Sequence, residues 1–210
     1  MKVNFLSIGS NCAALGYLGP NRIRGPFDNV ICKNGLLSSK ILFNETLFRR
    51  EFMSPPFVKS REKYFEMDTG YSFSYENIKF IHNDPTTIKF RTEFEKRYQN
   101  FKIFYDNLKT LPNYFFTYSL GAADIRNNFV TDTFYKGIQF LKKENIVNKI
   151  IIVGTKMNKV CDMGNYFNPK IVSFCNEYKI KYVTIDNCDL LNCKDSVAQF
   201  YQKTSKLLEV

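Results

Sequence analysis

Four short apolar runs, separated by long segments with helical spacing, constrain the fold of this chain most strongly. The four runs are residues 3–8, 114–118, 150–153 and 181–185. Apolar residues recur at three- and four-residue steps over 88–111, 131–144 and 195–208. Strands that alternate with helices form parallel sheets, because each connection must cross back over the sheet. The sequence therefore predicts a single α/β domain over residues 1–210, with a mostly parallel central sheet and helices on both faces.

The intervening segments are less regular. Two short runs at 71–75 and 78–82 alternate between apolar and polar residues, and Glu76-Asn77 between them is typical of a hairpin. Further helices are expected at 12–18 and 36–43. We find no repeat and no linker rich in glycine, proline or serine, so one domain is the simplest interpretation.

The cysteines and the amino-terminal residues indicate a reducing, intracellular compartment. The chain has six cysteines among 210 residues, and 44% of its residues are hydrophobic, so its core needs no disulfides. Its first apolar stretch is too short for a secretory signal, and no run reaches the roughly 18 residues of a membrane span. We expect a soluble cytoplasmic protein with reduced thiols. With His82 as the only histidine, we expect neither a metal site nor a cofactor.

The formal net charge of +10 is compatible with an anionic partner. Basic residues are scattered, however, and acidic residues interrupt the densest groups, which is typical of solvated helix faces. No nucleic-acid-binding motif is present, so we do not expect a nucleic acid partner or a membrane partner. An anionic or carboxylate-bearing small molecule, or a peptide substrate, remains compatible with the sequence.

The turn Gly9-Ser10-Asn11-Cys12 directly follows the first predicted strand and precedes a helix. A cysteine in that place is a candidate nucleophile, because free backbone N–H groups near a helix start stabilise a thiolate. The polar residues beside it leave amides available to an oxyanion. A small buried cysteine that packs against the sheet is the alternative interpretation.

Three further groups complete the candidate site. His82 is the only possible imidazole base for a cysteine nucleophile, and Asp84 follows two residues later. Arg22, Arg24 and Asp28 form a polar loop after the first helix. That loop either contributes to substrate binding, together with Gly9, Ser10 and Asn11, or is an arginine–aspartate pair that only orders the turn.

These two segments resemble a known family. The run Phe5-Leu6-Ser7-Ile8-Gly9-Ser10-Asn11-Cys12, followed by Arg22-Ile23-Arg24-Gly25-Pro26-Phe27-Asp28, resembles a papain-like cysteine peptidase family of unknown function. The resemblance extends over about residues 3 to 110 and implies a thiol hydrolase. It implies Cys12 as the nucleophile, His82 as the base and Asp84 as the candidate third member. Asn29 stands where the family has tryptophan, and Asn83 separates His82 from Asp84.

Two other classes of function remain open. The turn is also loosely similar to that of serine esterases with a nucleophile after the first strand, which would make Ser10 reactive, but no histidine follows residue 82. A nucleotide- or phosphosugar-binding module without a catalytic cysteine is the main alternative, since Arg22 and Arg24 lie near a predicted helix start. The glycine-rich phosphate-binding motifs are absent from the sequence.

Overall fold

The computed structural model describes most of the chain. The described residues are 3–9, 13–19, 22–28, 30–53, 57–64, 68–75, 78–80, 84–121, 124–126, 129–157, 169–188 and 193–209. The strands, in chain order, are β1 Asn4–Ser7, β2 Val30–Cys32, β3 Val58–Tyr64, β4 Asp68–Tyr75, β5 Ile78–Phe80, β6 Tyr114–Ser119, β7 Ile125–Arg126, β8 Phe129–Val130, β9 Ile150–Met157 and β10 Lys181–Cys188. The α-helices are α1 Ala13–Leu18, α2 Glu45–Phe48, α3 Ile88–Thr110, α4 Asp132–Lys143, α5 Pro169–Glu177 and α6 Lys194–Leu208.

The central sheet consists of the four strands that the sequence predicts. Its order is β1-β6-β9-β10, and every neighbouring pair is parallel. The α/β fold class is therefore confirmed. Two strands are longer than predicted, because β9 continues through Gly154 to Met157 and β10 continues beyond residue 185 to Cys188.

Successive residues of these strands enter two different cores, because side chains alternate between the faces of a sheet. Phe5, Phe115 and Ile151 lie in a cluster with residues of α1 and α6. Their neighbours Leu6, Phe116 and Ile152 lie in a larger cluster with residues of α3 and α4. Helices thus cover both faces, as predicted.

The strand order explains this division of the helices. The order in the sheet follows the order in the chain, so each connection advances in the same direction. Right-handed crossovers that all advance in one direction lie on one face. On this face lie α3, α4 and α5. The opposite face is covered by α1, which comes directly after β1 in the first connection, and by α6, and these two helices pack against each other.

A second sheet is antiparallel and has the order β2-β5-β4-β3. The predicted hairpin is confirmed, since β4 pairs with β5 from Phe73–Phe80 to Tyr75–Ile78. Its other two strands are not predicted by the sequence pattern. Phe80 of β5 contacts Phe94 of α3 edge to face at 5.6 Å, so this sheet shares the larger core.

Local sequence fixes the helix boundaries. Thr87 caps α3, because its hydroxyl accepts a hydrogen bond from the Phe90 amide at 3.2 Å. Gly19 adopts φ of +82° after α1, a backbone conformation that favours glycine and ends the helix. The helix predicted over 36–43 is a 3-10 helix over residues 35–41. Within the described part of the chain, no helix is long and apolar enough to cross a membrane.

Candidate functional site

The end of β1 approaches the end of β6 too closely for a side chain at residue 9. A Cβ atom on Gly9 would lie 2.9 Å from the Ser119 amide nitrogen. The Gly9 amide itself donates to the Ser7 hydroxyl at 3.2 Å. Gly9 is therefore required by packing at the carboxyl edge of the sheet, which is the edge where open α/β sheets usually bind ligands.

Buried hydroxyl groups lie at the same edge. The Tyr17 hydroxyl of α1 is 2.8 Å from the Ser119 hydroxyl and donates to Thr117 Oγ1 at 3.3 Å. All three residues are almost inaccessible to solvent. This cluster was not predicted from the sequence, although polar residues at alternate positions of an apolar strand could have indicated it. The hydroxyls fix α1 against β6 and make the carboxyl edge polar.

Four of the predicted site residues, Ser10, Asn11, Cys12 and His82, lie outside the described residues. The described chain resumes at Ala13 on one side of the turn and at Asp84 after the histidine. The Cys12–His82 pair therefore stays a prediction.

Asp84 orders the turn that leads into α3. Its Oδ1 accepts hydrogen bonds from the amide and the hydroxyl of Thr86, and its carbonyl accepts from the Thr87 amide. These contacts are typical of an aspartate at the start of a helix. The described contacts of Asp84 thus support a structural role for one carboxylate oxygen.

The loop with the two predicted arginines lies along the free edge of β1. Ile23 forms a parallel bridge with Leu6, and a Cβ atom on Gly25 would lie only 2.7 Å from the Ser7 carbonyl oxygen. Asp28 is 1% exposed, and its Oδ2 accepts from Arg22 Nη2 at 3.0 Å. The Arg22–Asp28 pair therefore helps to order the loop, and substrate binding by the loop stays a prediction.

The two arginines of the loop differ in their exposure and in their contacts. Arg22 is 8% exposed, and its buried Nε has no hydrogen-bond acceptor among the described residues. Arg24 is 43% exposed and lies 3.8 Å from Asp28 and 3.7 Å from Glu93. Both of its contacts are longer than a hydrogen bond. Arg24 keeps N–H groups available to a ligand within the described structure.

Arg97 of α3 joins the same cluster and was missed by the sequence analysis. Its Nη1 donates to the Asp28 carbonyl at 3.2 Å, and its Nε donates to Glu93 at 3.1 Å. Burial lowers the pKa of Arg97, and the charge of Arg24 lowers it further. A charged residue on the apolar face of α3, four residues after a glutamate, was the signal available in the sequence.

Burial also dominates the ionisation of Asp28. The pKa of this carboxyl is raised because desolvation outweighs the attraction of Arg22, Arg97 and Arg24. Among the described residues, the three arginines form ion pairs with two carboxylates, those of Asp28 and Glu93. The cluster therefore has an excess of positive charge.

Two adjoining cavities open beside this cluster, with volumes of about 500 and 800 Å³. They share Arg24, Glu93, Lys96 and Arg97, so we treat them as one groove along α3 and call it the α3 groove. The amino-terminal half of α3 lines the larger cavity, and Ile103, Phe104 and Tyr114 line the smaller. Its lining includes five basic side chains and two acidic ones, which favours a ligand with negative charge.

Asp124 is a second buried carboxylate that sequence reasoning missed. Its Oδ2 accepts from the Tyr118 hydroxyl at 2.7 Å and from the Gly121 amide at 2.9 Å, and its Oδ1 accepts from the Leu36 amide at 2.9 Å. Burial raises its pKa to about 6 in spite of these bonds. Asp124 thereby ties the end of β6 to the 3-10 helix.

Cys32, Cys175 and Cys193 are free thiols in the described structure. Within the described ranges, no group of three or more histidine, cysteine, aspartate or glutamate side chains is arranged to hold a metal ion. Comparisons with models of protein families, with curated proteins and with solved structures gave no match.

Proposed function

We propose that this chain is a thiol-dependent hydrolase or acyl transferase that acts on a substrate with an anionic group. Cys12 is its nucleophile, His82 is the base, and Arg24 of the α3 groove binds the anion. In this reaction the Cys12 thiolate attacks the acyl carbon while His82 holds the thiol proton. His82 then protonates the leaving group, and water or another acceptor releases the acyl group from sulfur.

One observation carries the proposal. The turn toward Cys12 and the loop with Arg24 leave the same point of the sheet, because Gly9 and Gly25 both pack against Ser7. The Gly9 amide donates to the Ser7 hydroxyl, and Gly25 lies so close to the Ser7 carbonyl that a Cβ atom would be 2.7 Å from it. Cys12 is three residues from Gly9 along the chain and Arg24 is next to Gly25, so this shared contact with Ser7 supports a nucleophile and an anion-binding group that act on one substrate.

Site-specific alkylation tests the nucleophile. We expect Cys12 to react with iodoacetamide well below the usual thiol pKa of about 8.5, and ahead of the other thiols. Cys32 and Cys175 are buried and serve as internal references, and Cys193→Ser removes a half-buried thiol as a matched control. Peptide-resolved mass spectrometry measures each rate.

The variant His82→Ala distinguishes a Cys12–His82 catalytic pair from a Cys12 thiol that reacts only because it is exposed. Loss of the imidazolium removes the charge that holds the thiolate, so labelling of Cys12 slows at acidic pH. Cys193→Ser leaves that rate unchanged. A Cys12 that labels only after unfolding, or labels equally with and without His82, ends the hydrolase proposal.

The second candidate is a nucleotide- or phosphosugar-binding module. It is favoured by Arg24, Lys96 and Arg97, which line both cavities of the groove, because basic side chains can bind a phosphate without a cysteine nucleophile. A thermal-shift screen with nucleotides and nucleotide sugars distinguishes the two, since a ligand at a hundred times its Kd stabilises by about 2.7 kcal/mol. Strong nucleotide shifts combined with an unreactive Cys12 favour the module.

A further inference from the structure

The α3 groove is longer than a small metabolite. Its lining extends along α3 from Thr87 to Asn107, and at 1.5 Å per residue this corresponds to about 30 Å. An extended peptide advances about 3.3 Å per residue, so the groove accommodates about nine residues. This length favours a chain-like ligand.

The charge of the groove selects for acidic groups. Arg24 and Lys96 belong to both cavities and are exposed, and Lys89 lines the larger one. Among the described residues, Arg24 has two long ion pairs, with Asp28 and Glu93, so its guanidinium can bind a carboxylate with little loss of existing bonds. An acidic side chain therefore fits the junction of the two cavities.

The smaller cavity also offers apolar and amide groups. Ile23 is 43% exposed and Ile103 is 62% exposed, and both line this cavity. Asn100 and Asn107 lie on the same stretch of α3, and amide side chains can both donate to and accept from a peptide backbone. The aromatic residues of this cavity are less accessible, since Phe104 is buried and Tyr114 is half-buried. Exposed isoleucines suit aliphatic side chains, whereas single-stranded nucleic acids are usually bound by exposed aromatic rings.

From these features we infer that the α3 groove binds an extended acidic peptide segment, with a carboxylate at Arg24 and Lys96 and an aliphatic side chain at Ile23 and Ile103. This inference rests on the proposed function and names peptides as its substrate class. Binding of the segment does not require the chemical reaction, so a binding measurement tests the inference.

Fluorescence anisotropy with the full chain measures the binding. The probes are a fluorescein-labelled nonapeptide with the repeat Glu-Glu-Leu, its Lys-Lys-Leu counterpart, and an oligothymidine of equal length. We compare Arg24→Gln/Lys96→Gln with the control Arg91→Gln/Lys136→Gln, which removes the same charge from exposed residues outside the groove. Ile103→Ser tests the apolar part at an exposed position.

We expect the acidic peptide to bind and the basic one not to bind. The groove double variant should weaken binding about tenfold, the equivalent of roughly 1.4 kcal/mol, while the control changes it less than about twofold. Ile103→Ser should weaken it as well. Equal losses in both double variants would overturn the inference, because they show a response to net charge alone. Tighter, groove-dependent binding of oligothymidine would also overturn it and indicate a nucleic acid ligand.

Cys12→Ser separates this inference from the proposed function. Peptide binding should persist in that variant, because its determinants lie on α3 and the loop of Arg24. Groove-dependent binding with an unreactive Cys12 supports the inference and ends the hydrolase proposal. A reactive Cys12 without groove-dependent binding supports the hydrolase and overturns the inference.

Discussion

Asp124→Asn tests whether burial controls the ionisation of Asp124. The native carboxyl has a folded-state pKa of about 6, compared with an ordinary value of 3.8. Because the folded value is raised, the folded state binds a proton more readily than the unfolded state. The stability that protonation of Asp124 contributes is fully present below pH 3.8 and is lost as the pH rises through 6.

The magnitude follows from these two values. Between pH 7 and pH 5 the folded carboxyl becomes protonated while the unfolded one stays ionised, which stabilises the native protein by about 1.4 kcal/mol. Asparagine does not titrate and gains nothing over this range. Asparagine also cannot accept all three native hydrogen bonds, and an orphaned buried donor costs about 1–3 kcal/mol at either pH.

At one pH, the difference in free energy of unfolding between the native protein and the variant also contains the cost of the lost hydrogen bond. The change of this difference between pH 7 and pH 5 therefore measures the ionisation of Asp124 alone. Urea denaturation followed by far-UV circular dichroism gives the free energy of unfolding of both proteins at pH 7 and pH 5. The native protein should gain about 1.4 kcal/mol on the variant, and other carboxyls such as Asp28 cancel because both proteins contain them. A difference that is constant with pH, or shrinks toward pH 5, would refute the argument from burial.

Three further predictions concern packing and thiol chemistry. Gly137→Ala should lower the free energy of unfolding by about 1–3 kcal/mol, because the added Cβ would lie 2.8 Å from Leu36 Cγ. A urea denaturation curve that gives the same free energy of unfolding as the native protein would contradict this. Cys175 is buried with its pKa raised to about 12, so it should resist iodoacetamide until the protein unfolds, and labelling in the native state would show otherwise. Tyr17→Phe should cost about 1 kcal/mol, because the buried Ser119 hydroxyl loses its partner, and an unchanged thermal midpoint would argue against that bond.

The sequence predicts the central sheet well because its strands are buried on both faces. A segment such as Ile150-Ile151-Ile152-Val153 has apolar residues for both cores and no competing helical pattern. The spacing of Phe90, Phe94 and Phe101 likewise predicts the buried face of α3. In both cases one segment alone carries enough hydrophobic signal to determine its structure.

The second sheet could not be predicted in the same way. The sequence of β3 is Val-Lys-Ser-Arg-Glu-Lys-Tyr, which lacks an apolar stripe, and its structure depends on pairing with β4. The contacts of Arg97 and Asp124 depend on partners about 70 to 90 residues away in the chain. The spacing of Glu93 and Arg97 was visible in the sequence, but long-range hydrogen bonds such as that from Arg97 to Asp28 leave no local pattern, so the candidate site was only partly predictable.

The position of the α3 groove follows from the topology of the parallel sheet. β1 is an edge strand, and an edge strand has backbone groups that another segment must pair or cover. The loop with Arg22 and Arg24 meets this requirement through the single bridge between Ile23 and Leu6. A single bridge fixes a loop without making it a fifth strand, so the space between this loop and α3 is not filled by regular structure. The charged side chains of this loop can stay in contact with solvent because the loop faces a groove, and the excess positive charge at this edge of the sheet is thereby tolerated.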